Sequence, residues 1–263
     1  MLRRFLWFCL TLTILSAAAL LFFQPAIVAI ACPSCMGFER VGGNVYVNRA
    51  MPAGKRIQVV AHLGMSISAV ETFFGELSAH PMIFACSTEE CYRRLGVKTA
   101  RGAAFGAVAI RLSPRGLDNA IAIHELAHIE LHARLGMWTT MRRLPAWFDE
   151  GLAVLVSDDP RYLGPPAPTD MSGNDVRQLV SPGQWLAASG KQGRGTYASA
   201  YREVKAWYDR AGRTGLDDLI QKLREGQRFE DAFKAAVPNS SPGPSGRPGG
   251  ACAASRNSSN CSR

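Results

Sequence analysis

The chain has 263 residues, of which 47% are hydrophobic and 19% charged. That balance provides for a substantial buried core and excludes a disordered or fibrous chain. The formal net charge is +9, but the basic residues are scattered and not interleaved with aromatics, so nucleic acid is not an expected partner.

Residues 1–31 stand apart. Arg3 and Arg4 precede an apolar run from Phe5 to Phe23, and after Gln24-Pro25 the run resumes through Ala31. A basic start, an apolar middle and Ala29-Ile30-Ala31 before Cys32 have the form of a secretory signal with its cleavage site. The run is also nearly long enough to cross a bilayer, so an uncleaved membrane anchor is the alternative. Either way Arg3 and Arg4 stay in the cytoplasm. The rest is expected to be exported, free in the periplasm or anchored to the inner membrane with its folded part outside the cytoplasm. Losing Arg3 and Arg4 lowers the net charge from +9 to +7.

Cys9 lies inside the apolar run. Cys32, Cys35, Cys86, Cys91, Cys252 and Cys261 remain, and an even set in an exported chain suits disulfides. The simplest pairing joins 32 to 35, 86 to 91 and 252 to 261. Cys32-Pro33-Ser34-Cys35 also admits a second reading, a thiol–disulfide exchange protein, although no β-α-β unit precedes it.

Strands are expected at Asn44–Val47 and Ile57–Ala61, joined by a turn at Met51-Pro52-Ala53-Gly54. Ser68 and Glu71 have capping-box spacing and predict a helix with Val70, Phe73, Phe74 and Leu77 on its apolar stripe, ended by Pro81. Met82–Cys86 reads as a buried strand. Thr88 caps a short helix that stops at Gly96. Gly106–Ser113 reads as another strand, with Val108, Ile110 and Leu112 on one face.

A long helix is expected from about Leu117 to Leu135. It contains His124-Glu125-Leu126-Ala127-His128. Positions i and i+4 share a helix face, so both imidazoles can reach one metal ion, and Glu125 can hold a water beside it. The helix is apolar on nearly every side. Unpaired polar groups buried there cost several kcal/mol, and a zinc ion supplies their partner. A second helix begins at Pro145 and carries Trp147-Phe148-Asp149-Glu150-Gly151. Glu150 completes the three protein ligands of a catalytic zinc site, which leaves the fourth position for water. His132 lies about 80° around the helix from His124, at 100° per residue, and is expected outside the ligand set. Asp149 reads by default as a solvated acid, with orienting a ligand or contacting a substrate amine as the alternatives.

The two segments, HELAH and Leu144-Pro145-Ala146-Trp147-Phe148-Asp149-Glu150-Gly151-Leu152-Ala153, resemble the gluzincin metallopeptidases. They look most like the peptidase MA-like proteins related to aminopeptidase catalytic domains. The resemblance spans roughly residues 100–236. It implies zinc held by His124, His128 and Glu150, with Glu125 as general base. It also implies a tyrosine from a later helix that stabilises the oxyanion, for which Tyr197 is the first choice and Tyr201 the second. Residues 129–149 between His128 and Glu150 form a slightly longer spacer than in typical aminopeptidases, and no G-x-M-E-N-type exopeptidase signature lies upstream. The expected substrate is a peptide or protein. The strand Gly106–Ser113 is expected to line its cleft. A protein that keeps this fold and metal without catalysis is a third reading.

Gly, Pro and Asp make a loop of residues 157–175. Further helices are expected at Pro182–Ser189, Ala198–Ala211, Leu216–Glu225 and Phe229–Ala236. Residues 238–263 are rich in Ser, Pro, Gly and Asn and are expected to be disordered. Asn239, Asn257 and Asn260 there each begin an N-x-S sequence. The expected architecture is α+β and zincin-like: a small mixed sheet with the motif helix, then a mainly helical half, within residues 36–237.

Overall fold

The computed structural model describes residues 2–97, 99–168 and 170–238. Two helices open it, α1 (Leu2–Phe23) and α2 (Pro25–Ala31). Five short strands follow: β1 (Phe38–Gly42), β2 (Val45–Asn48), β3 (Met82–Ala85), β4 (Gly102–Phe105) and β5 (Ala109–Leu112). Helices α3 (Ala53–Phe74) and α4 (Glu89–Arg94) lie among them. The second half is helical: α5 (Asn119–Leu135), α6 (Met137–Arg143), α7 (Ala146–Ser157), α8 (Gly173–Arg177), α9 (Pro182–Gln192), α10 (Arg194–Arg224) and α11 (Phe229–Ala235). The fold is mixed α+β with a small sheet and a mostly helical remainder.

The sheet order is β1-β2-β3-β5-β4, with antiparallel outer pairs and parallel inner ones. Alternation along the strands gives each face its own core. Val45, Val47, Ile83, Ala85, Ile110 and Leu112 join the main core with residues of α3, α5, α7 and α10. Phe84 and Ala109 point the other way, into a smaller core with Phe38, Tyr92, Leu95 and Ala29 of α2. The Cys86–Cys91 disulfide lies in this second core, and a Cys32–Cys35 disulfide closes the turn after α2. Two disulfides suit an oxidising, non-cytoplasmic compartment. Cys32 is the C-cap of α2, and Cys35 sits in a three-residue 3-10 turn (Ser34–Met36). Cys252, Cys261, the three N-x-S sites and the tail from residue 239 lie outside the described residues.

The structure departs from the expected elements in definite places. Ile57–Ala61 is helical, not a strand. Its β-branched residues favour extension locally, but Val59 continues into Leu63, Ser66 and Val70 as one buried helical stripe, and packing on α5 decides the outcome. Ser68 and Glu71 therefore lie inside α3 instead of capping it, and the helix ends at Gly75, whose φ is +84°. β1 and β4 were not anticipated, nor were α6 and α8. The strand expected over Gly106–Ser113 is only Ala109–Leu112. Gly106, at φ +55°, turns the chain from β4 into β5, and Val108 is exposed. The two helices expected at Ala198–Ala211 and Leu216–Glu225 are present, because the run Arg194–Arg224 is broken at Gly212, whose backbone is non-helical with φ +63°.

Helix α7 is held between α5 and α10. Gly151 makes this possible, because a Cβ there would stand 2.6 Å from the Ala200 carbonyl oxygen and 2.7 Å from Val204 Cγ2. Trp147 and Phe148 of α7 pack edge-on against Phe229 and Phe233 of α11. Trp207 of α10 stacks on Phe233 and donates its Nε1–H to the Phe233 carbonyl at 2.9 Å. Phe233→Ala is expected to cost about 3–5 kcal/mol. That corresponds to a fall of roughly 6–20 °C in Tm for a domain of this size, measurable by calorimetry.

Candidate metal centre

Helix α5 starts where the Asp118 carboxylate accepts the Ile121 N–H at 2.8 Å. It is apolar nearly all round because α3, α7 and β4 enclose it. His124, Glu125 and His128 are consequently buried. One turn apart, the two imidazoles present their Nε2 atoms to each other at 3.1 Å. Helix α7 brings Glu150 Oε2 to 3.3 Å from His124 Nε2 and 3.7 Å from His128 Nε2. Ligands at about 2.0–2.1 Å around a tetrahedral ion stand about 3.3–3.4 Å from one another. The triangle therefore has the dimensions of one face of such a site.

Asp149 is not a solvated acid. Its side chain is only 18% exposed, and its Oδ1 lies 2.7 Å from His128 Nδ1. Its Oδ2 lies 2.8 Å from His132 Nε2. The Nδ1–H of His128 donates to Asp149, which orients the ring so that Nε2 faces His124 and Glu150. Two imidazole nitrogens and a carboxylate oxygen converging in one buried space form a donor set that fits a metal ion. His132 stays outside that triangle, as its position around the helix implies, and works through Asp149.

The ionisation of these groups follows the same logic. Burial alone raises the Glu150 carboxyl, but hydrogen bonds from His124 and then His128 outweigh it and bring its pKa down to about 2. Burial also raises Asp149, and the charges of His128 and His132 more than reverse this. Glu125 moves the opposite way: burial pushes it up, against the lowering effect of His124 and His128.

A cleft of about 250 Å³ opens onto His124 and Glu125. Thr99, Arg101, Gly102, Arg161, Tyr162 and Tyr197 also line it. A larger hollow of about 810 Å³ lies between Ser78, Arg134 and Asp217. It has no histidine among its lining residues, so the smaller cleft is the one that borders the candidate metal group. The strand beside the cleft is β4, not the Gly106–Ser113 segment expected there. A Cβ on Gly102 would stand 2.7 Å from Glu125 Cγ, so only glycine lets β4 lie this close to the acid.

Tyr197 stacks on Tyr162, with ring centroids 4.9 Å apart, and lies 6.4 Å from the His124 ring. Burial, then the charge of Glu150, raises its phenol far above the ordinary value, so it keeps its proton and can donate. Tyr201, one turn further along α10, does not line the cleft. Sequence reasoning missed Tyr162, Gly102, Arg101 and Arg161. Arg161 clamps the nearly inaccessible Asp159 carboxylate at 2.9 Å, which fixes the loop carrying Tyr162. The run Asp158-Asp159-Pro160-Arg161-Tyr162 just after the third metal donor is the signal that could have found it.

Comparison of the chain with known protein families, curated proteins and solved structures gives no match. The site's chemistry therefore rests on its own geometry. Asp149→Ala is expected to weaken Zn²⁺ binding by about 10–100-fold while the helices remain folded. Competition titration against a chromophoric chelator, with circular dichroism alongside, measures both.

Proposed function

We propose that this chain is an exported zinc-dependent peptidase of the gluzincin type, cutting peptide bonds by attack of water. The observation that carries the reading is the 3.1–3.7 Å triangle of His124 Nε2, His128 Nε2 and Glu150 Oε2, with Glu125 beside it in the cleft. Zinc held by those three residues lowers the pKa of water towards about 7 and polarises a carbonyl.

The remaining steps belong to the chain's own side chains. Glu125 has no salt-bridge partner among the described residues and lies at the cleft floor, placed to take the proton of the attacking water and deliver it to the leaving amine. The Tyr197 phenol donates a hydrogen bond to the oxyanion as charge develops there. Asp149 holds the His128 ring in register. β5 is paired on both sides, whereas β4 is the sheet edge beside the cleft. An extended peptide therefore binds along β4 by strand addition, with its scissile carbonyl towards His124 and Glu125.

The purified, zinc-loaded protein tests this with a peptide library, with and without chelator. Cleavage lost on chelation and restored by Zn²⁺ is the expected result. Zinc bound without any cleavage points to a metal-binding protein that does not catalyse. Glu125→Gln is expected to keep its zinc and lose about 10²–10⁴-fold in rate. Tyr197→Phe is expected to lose about 10²–10³-fold in kcat, and Tyr201→Phe to stay near wild type. Steady-state kinetics on a cleaved library peptide separates the two tyrosines.

A further inference from the structure

We infer that residues 1–31 are not removed, and that α1 is a permanent anchor in a lipid bilayer with the folded domain seated directly on it. The starting observation is α2. Its Ala26 is 3% exposed and its Ala29 fully buried. Ala29 lies in the second core beside Phe38, Phe84, Tyr92 and Leu95, and Ile30 packs against the same group. Pro25, at the start of α2, abuts Gly96: a Cβ on that glycine would come within 3.3 Å of Pro25 Cδ. The segment shaped like a cleavage site is therefore part of the cover over the second face of the sheet. A chain beginning at Cys32 would leave that face partly open to water.

If α2 stays, α1 stays with it, since Gln24 alone separates them. Helix α1 has 22 residues, a length of about 33 Å at 1.5 Å per residue, which matches the bilayer's apolar thickness. Every residue from Arg3 to Thr13 is exposed. Phe5, Leu6, Trp7 and Phe8 are 59–64% exposed at consecutive positions, so the apolar surface goes all round rather than forming a stripe for a protein partner. Arg3 and Arg4 mark the cytoplasmic end. Among the described residues α3 also has the length and apolarity to span a membrane. It is a domain helix, though, with Val59, Leu63, Val70 and Phe74 buried in the main core.

The test uses the full chain, expressed in a bacterium and exported by its own N-terminus. Intact mass is expected to include residues 2–31. The protein is expected in the membrane pellet after alkaline carbonate and in solution after detergent. In detergent, Ala29→Val should lower the Tm by roughly 2–12 °C through overpacking, while Phe8→Ala leaves it unchanged. A soluble product that begins at Cys32 overturns the inference. So does an Ala29→Val protein as stable as wild type, because α2 would then not belong to the fold.

Discussion

Two imidazole nitrogens and a carboxylate oxygen, drawn from two helices, face one another across less than 4 Å in a buried space. The two imidazoles hydrogen-bond the Glu150 carboxylate and hold it ionised, and burial removes the water that would otherwise screen them. A metal ion can take the place of those protons at the same three atoms. The rest of the helical half can be understood as what it takes to hold α5 and α7 in this mutual position.

Three features do the holding. Gly151 lets α7 lie against α10 without the clash that any side chain would bring. The aromatic group of Trp147, Phe148, Trp207 and Phe233 fixes the rotation of α7, so that Asp149 and Glu150 face α5. On the far side of α5, the buried Glu130 accepts the N–H groups of Ser78 and Ala79 at 3.0–3.1 Å and the Nε of Arg134 at 2.6 Å. Arg134 in turn donates to the Phe74 and Glu76 carbonyls at the end of α3. The motif helix is thus braced on both flanks, by apolar packing on one and by a satisfied polar network on the other.

What was legible in the sequence was local. The spacing of His124 and His128 fixes a shared helix face whatever surrounds it. The step through Pro145 into Trp147–Gly151 marks a second helix, and cysteines three or five residues apart need no tertiary information to pair. What was not legible depends on distant contacts. Ile57, Val59 and Val60 look like a strand until α5 supplies the surface that their helix covers. β4 reads Gly-Ala-Ala-Phe, with no alternation to betray it, and is a strand because β5 offers a free edge and Gly102 fits over Glu125. Asp149 differs from a solvated acid only through where α7 lies. Tyr162 is brought to the cleft by a loop whose anchor, the Asp159–Arg161 pair, becomes visible only in three dimensions.

The connection between the two ligand-bearing helices is built differently from the helices themselves. None of the residues of α6 is buried, and Met137, Trp138 and Met141 project into solvent. The number of residues between His128 and Glu150 is therefore not what sets the geometry of the metal donors. Helix α6 is joined to the chain after α10 by Arg143, which donates to the Gly226 and Gln227 carbonyls, whereas a methyl group at Gly102 or Gly151 would stand within 2.7 Å of its neighbours. The segment between the candidate ligands is thus exposed at α6, while the glycines are the tightly enclosed positions.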